Sequence, residues 1–187
     1  YFELSAQNNC SEAQCALELI YYIKKDFKKS EKYLLKSAEN RNANGLFYYG
    51  FYLYEKNFHD SQKIVELFTN AALLNQPYAQ YYLGKFYFEG TFVPKNITKA
   101  IHYLTFSANQ ENVEAQLYLG VIYLMEIKNI NKAIFYLKKA SENANSFARY
   151  YLGLIYYEGK FITKNIEQSI KYFRDSSNLN NDFAKNN

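Results

Sequence analysis

Tryptophan is absent from this chain of 187 residues, and methionine (one), cysteine (two), proline (two), histidine (two) and glycine (seven) are scarce. Each scarcity excludes something. Seven Gly and two Pro cannot punctuate a β-sandwich or barrel, which needs turn residues at every hairpin. Two Cys and two His, with no second pair close by, offer no metal-ligand spacing. No Gly-rich phosphate cradle, His-Glu-x-x-His or Gly-x-Ser-x-Gly occurs. No run approaches the roughly 18 consecutive apolar residues of a membrane helix; the longest candidate, Gly45 to Tyr54 (GLFYYGFYLY), is ten residues long and rich in hydroxyls. Arginine is also sparse, three against 19 Lys, within a net charge of +4. That mild basic excess, without an aromatic-arginine run, does not describe a nucleic-acid track, and no nucleic-acid partner is expected.

Tyrosine (21) and phenylalanine (15) are abundant, and hydrophobic residues reach 49%. So apolar a chain can bury enough surface to offset its ordering entropy, which excludes a disordered protein. The chain begins at Tyr1, with no basic-then-apolar leader, and is read as a processed or truncated piece. Cys10 and Cys15 stand five apart. A disulfide between them requires Cys10 to lie before the helix that carries Cys15; the alternative is two free thiols.

A repeat organises the rest. An Ala-x-x-x-Leu-Gly-x-x-Tyr pattern opens at Ala79, Ala115 and Ala148, with variant copies at Gly45 and Ala13. Its Gly position falls at Glu18, Gly50, Gly84, Gly120 and Gly153. A second pattern alternates with it: Lys99-Ala100-Ile101-His102-Tyr103-Leu104, Lys132-Ala133-Ile134-Phe135-Tyr136-Leu137 and Gln168-Ser169-Ile170-Lys171-Tyr172-Phe173. Both have helical period, so each unit is a hairpin of two helices that cannot bury its apolar face alone. A Gly inside a helix costs about 1 kcal/mol relative to Ala, and close helix–helix packing is the economical reason for it.

The turns carry a family resemblance. Gly90-Thr-Phe-Val93-Pro-Lys-Asn96-Ile-Thr-Lys99-Ala100 and Gly159-Lys-Phe-Ile162-Thr-Lys-Asn165 resemble the G-x-G-V-x-x-D-x-x-K-A turn of Sel1-like repeats, relatives of the tetratricopeptide repeats. Phe92 and Phe161 replace the second Gly, and Asn96 and Asn165 replace the Asp while remaining able to cap the second helix. Lys56 to Asp60 and Lys128 to Asn131 are shorter, tetratricopeptide-like turns. The resemblance spans roughly residues 12 to 177. It implies an all-α, right-handed α-solenoid of about five Sel1-like hairpins, with second helices outside. The expected units are approximately 12–42, 43–77, 78–113, 114–146 and 147–177, and 178–187 is a truncated cap or the start of a next unit, whose first helix should begin near Phe183-Ala184.

Candidate binding residues lie on the first helices, opposite the hairpin partner. With Ala79 at zero and ~100° per residue, Tyr81, Lys85 and Phe88 cluster on one face. Their equivalents are Phe47, Phe51 and Tyr54; Leu117, Val121 and Leu124; Tyr150, Leu154 and Tyr157; and, in the first unit, Cys15, Leu19 and Tyr22. Such positions are usually polar in a solvated hairpin. About half of the stripe is expected to be inter-repeat core, and the remainder, by resemblance to tetratricopeptide-type solenoids, lines a concave partner-binding groove. Lys85, Glu55, Glu89 and Glu158 beside it would set specificity. Repeating Tyr87, Tyr123, Tyr156, Tyr103, Tyr136 and Tyr172 are assigned to the hairpin core instead. His59 and His102 are expected on the surface.

The function expected is non-catalytic binding of a protein or peptide partner, with no catalytic residue, cofactor or metal. The resemblance implies a bacterial envelope, secretion-linked or toxin-immunity protein, and the paired cysteines favour a periplasmic or secreted site. The alternative is a cell-wall-related hydrolase of the cysteine-rich Sel1-like type, for which the groove positions supply neither histidine nor a carboxylate pair.

Overall fold

The computed structural model describes Leu17 and residues 27–56, 60–160 and 162–185, the side chains of 27, 28, 30 and 179–185 excepted. Cys10, Cys15, Leu19, Tyr22, His59 and Phe161 lie outside these. Among the described residues all regular structure is helical: α1 (Phe27–Glu39), α2 (Ala43–Glu55), α3 (Ser61–Leu73), α4 (Pro77–Glu89), α5 (Ile97–Asn109), α6 (Val113–Met125), α7 (Ile130–Glu142), α8 (Ser146–Glu158) and α9 (Ile166–Lys185). Eight have 13 residues and α9 has 20. Helix α9 runs through Phe183-Ala184 without a break, so residues 178–185 prolong a second helix and no new first helix begins there. The chain forms two compact units, 1–96 and 97–187.

Three residues join each second helix to the next first helix, and the last of them serves both. Asn42, Gln76, Asn112 and Asn145 each donate a backbone N–H to the carbonyl five residues back, those of Ser37, Ala71, Ser107 and Ala140, at 3.1–3.3 Å. The same four side chains cap the following helix, accepting from the N–H of Gly45, Ala79, Ala115 and Ala148 at 2.7–3.0 Å. One residue therefore closes one helix and opens the next. The residue before it adopts the left-handed conformation: Arg41 (φ 54), Asn75 (φ 63), Glu111 (φ 63) and Ala144 (φ 59). Glycine usually occupies that place, and none of these four is glycine.

The turns within hairpins differ in length yet close on one bond. The backbone N–H of Asn96, Asn129 and Asn165 reaches the carbonyl of Tyr87, Tyr123 and Tyr156 at 2.8, 2.8 and 3.0 Å. Asn165 caps α9 through Gln168 N–H at 2.9 Å, as its Asp-like position in the turn predicts.

Small residues bring the helices together. A Cβ on Gly120 would stand 2.6 Å from Leu137 Cγ, and one on Gly153 would stand 2.7 Å from the Phe173 ring. A Cβ on Gly45 would collide with buried Ser37. Ala79, Ala100, Ala115, Ala133 and Ala148 are fully buried. Ser169, where the sister repeats carry Ala, donates its hydroxyl to the Gly153 carbonyl at 2.9 Å. In the second unit Leu137, Ala140, Ala148, Leu152 and Ile155 form a core on which Leu117, Leu124, Tyr151 and Tyr172 pack.

Candidate partner-binding surface

The tyrosines separate into two sets. Tyr123 stacks on Tyr136 (5.8 Å, 3°) and Tyr156 on Tyr172 (5.8 Å, 13°), each pair joining the two helices of a hairpin. Burial foremost, then the neighbouring Tyr123 phenol, pushes the Tyr136 pKa above the usual tyrosine value, with Lys132 and a hydrogen bond with Thr105 opposing. Burial and then the Glu31 carboxylate, to which its hydroxyl is hydrogen-bonded, raise that of Tyr52 likewise. These rings belong to the scaffold.

The stripe is graded within each unit. In the first, Phe47 is buried at 6% exposure, its ring between Phe68 of α3 and Tyr78 of α4, each at 5.8 Å. Phe47 is therefore part of the inter-helix core and leaves the exposed set. Phe51, Tyr54, Tyr81, Lys85 and Phe88 are half-buried. Lys95 from the turn lies over the Phe88 ring at 5.6 Å. In the second unit Leu117, Val121, Leu124 and Leu154 are half-buried, and Leu117 and Leu124 pack on the aliphatic core. Tyr150 and Tyr157 are 46% and 54% exposed, and Lys164 covers one face of Tyr157 at 5.1 Å, as Lys95 does at Phe88. His102 is exposed, edge-on to Tyr103 and Phe106.

Three features went unpredicted. Tyr82 is an aromatic hub, touching Phe47, Phe51, Tyr54, Phe68 and Phe86 within 6.2 Å. The signal was present, because the residue before the Leu position is Tyr in four repeats: Tyr48, Tyr82, Tyr118 and Tyr151. Next, Phe92 is 42% exposed at φ 58 and packs on Phe86 at 4.8 Å. With Tyr54, Glu55, Glu89 and Thr91 it lines a cavity of about 480 Å³ where α2 and α4 end. Finally, a cleft of about 520 Å³ opens between α1, α2 and α3, with Leu35, Tyr49, Leu73 and Leu74 on its walls and the Lys63–Glu66 ion pair (3.3 Å) at its rim.

Nothing among the described residues gathers three or more His, Cys, Asp or Glu into a metal-binding group, and no described helix is long and apolar enough to cross a membrane.

Short antiparallel helices, alternating between two sequence patterns and held at glycine and alanine crossings, define a helical repeat of the α-solenoid class. The chain belongs to the Sel1 repeat family, whose profile matches residues 4–42, 77–112, 113–145 and 146–181. It is similar to c5321, a protective antigen of uropathogenic Escherichia coli with an SLR fold: TM-score 0.86 and 28% identity over 94% of this chain and 39% of that one. It shares its fold with the immunity protein PA5088 of Pseudomonas aeruginosa at TM-score 0.66 and 17% identity, covering 97% of this chain and 72% of that one. In sequence it is 38% identical over 64 residues to the alginate biosynthesis protein AlgK of Pseudomonas syringae pv. tomato, 34% of this chain and 13% of that protein. The chain thus spans well under half the length of both AlgK and c5321.

Proposed function

We propose that this protein is a non-catalytic binding module that holds a protein or peptide partner on the exposed first-helix stripe of either unit: Phe51, Tyr54, Tyr81, Lys85 and Phe88 in the first, or Tyr150, Leu154 and Tyr157 in the second. One observation carries the reading. Tyr150 and Tyr157 present 46% and 54% of their surface to solvent, even though Tyr150 also rests against Phe173 of α9 at 5.8 Å. Tyrosine gives an interface large contact area with few rotors and a hydroxyl at its tip, which suits it to anchoring. Membership of a repeat family built for extended binding surfaces supports the same reading. The setting we favour is bacterial, in the envelope or in immunity to a toxin. The local likeness to an alginate biosynthesis protein supports the first, and the fold shared with an immunity protein is compatible with the second. A hydrolase is disfavoured because the described stripe positions carry aromatic and aliphatic side chains with one lysine and no histidine, although, against expectation, two carboxylates, Glu55 and Glu89, line one cavity beside them.

The test is capture of partners from bacterial lysate by wild type and by the variant Tyr81→Ala, Phe88→Ala, Tyr157→Ala, both confirmed folded by circular dichroism. A specific protein captured by the first and lost from the second is the expected result. Equal capture by both would overturn the reading.

A further inference from the structure

The second helices α3, α5, α7 and α9 each carry a largely apolar stripe at four positions spaced 4-3-4 along the helix. In α7 these are Ile130, Ile134, Leu137 and Ser141. The first two are half-buried and the last two buried, where α7 packs on α8. The equivalent positions of α3 and α5 show the same grading where those helices pack on α4 and α6. In α9 the four are Ile166, Ile170, Phe173 and Ser177. Here Ile166 and Ile170 are 44% and 51% exposed, Ser177 is exposed, and Phe173 is half-buried against Tyr150 of α8. A face that the molecule covers in three helices is bare in the fourth.

We infer that this face of α9 binds the same face of a second copy of the chain, the two helices lying antiparallel about a two-fold axis. The spacing is that of a heptad seam, and at 20 residues α9 is long enough to form one. The seam is symmetric about its own midpoint, so antiparallel pairing sets Ile170 of each copy on Phe173 of the other and Ile166 on Ser177. Charge complementarity selects the occupant. One flank of the seam is filled by α8: Ser169 and Ser176 are buried there and donate their hydroxyls to the carbonyls of Gly153 and Ser146 at 2.9 and 2.8 Å. The other flank holds Glu167 and Arg174, both exposed and seven positions apart. Antiparallel pairing brings Glu167 of each copy beside Arg174 of the other, twice over. A parallel pair would set these two residues against the flank that α8 fills. A uniformly acidic or basic helix would satisfy one of the two charges and oppose the other. The contact is isologous and therefore closes at two copies.

The test is sedimentation equilibrium of the 187-residue chain from about 5 to 500 µM, because one helix face is smaller than a standard interface of ~1,200 Å² or more and binds weakly. The mass should rise with concentration from 22.1 kDa towards twice that value and no further. Ile170→Asp, at an exposed position and checked for folding by circular dichroism, should hold the chain at the monomer mass throughout. Glu167→Arg alone and Arg174→Glu alone each set like charges opposite one another and should weaken the dimer about tenfold, the scale of two ion pairs turned to repulsion. The double variant Glu167→Arg, Arg174→Glu should restore it. A monomer mass throughout, association beyond two copies, a dimer untouched by Ile170→Asp, or a double variant as weak as the single ones would overturn the inference. None of these substitutions lies on the first-helix stripe, so partner capture by the triple alanine variant tests that reading separately.

Discussion

Ala144 sits in the left-handed region (φ 59) at the end of α7, exposed, with its methyl group in a conformation that favours glycine. Relief of that strain outweighs the extra freedom glycine gains in the unfolded chain, so Ala144→Gly is expected to stabilise the protein by about 0.5–1 kcal/mol. For a chain of this size that raises Tm by roughly 1–4 °C, readable by calorimetry. The neighbouring kind of residue behaves oppositely. Asn112 is buried at 7% exposure and closes α5 with its N–H while capping α6 with its side chain. Asn112→Ala should cost about 1–2 kcal/mol in urea unfolding. Tyr136 gives a pH signature. Its folded pKa is raised, so the neutral phenol is favoured in the native state and the stability it contributes is complete below the ordinary tyrosine value near 10. That contribution is lost as pH climbs through the raised value. The urea midpoint should therefore hold up to about pH 9 and fall above 10, and Tyr136→Phe should reduce the fall. At this scale the sequence was only partly legible. Asn165 was recognisable as a cap from its turn, whereas the double duty of Asn42, Asn112 and Asn145 was hidden among 21 asparagines, because no local pattern separates a capping Asn from a solvated one.

Helix crossings were the most legible feature. The Ala-x-x-x-Leu-Gly pattern implied close approach, and Gly120 and Gly153 are indeed faced by Leu137 and Phe173 with no room for a methyl group. Gly153→Ala should accordingly destabilise by about 1–3 kcal/mol, despite the gain of about 1 kcal/mol in helix propensity, as a chemical denaturation curve would record. The stripe was less legible. Helical angle placed Phe47, Tyr81, Leu117 and Tyr150 on one face, but angle alone does not say what lies over that face. Phe47 is covered by Phe68 and Tyr78, and Leu117 packs on the aliphatic core, while Tyr150 is left 46% exposed. The difference lies in neighbours some thirty residues away, beyond the reach of any periodicity within one helix. Phe92 escaped notice for a related reason. Standing where the family turn carries glycine, it looked like simple degeneration of a motif, and its place in a cavity wall appears only beside Tyr54 and Glu55 of the preceding repeat.

Within each of the two units, each helix packs chiefly on its neighbours in sequence, so stability is expected to be a chain of local terms rather than one cooperative block. Leu152→Ala, at a fully buried position, should cost about 2–5 kcal/mol. Native-state hydrogen exchange should show that loss in α7 to α9 while the amides of α1 to α3 keep their protection. The hairpin turns carry a different consequence. Asn96 and Asn165 close on a tyrosine carbonyl nine positions upstream, and Asn129 closes on one only six upstream. Because closure is made by the first and last residues of the turn, what lies between them is free in length. These are the joints at which the protein can be lengthened: a foreign peptide grafted between Met125 and Asn129 would be displayed outward, with the registry of every helix preserved.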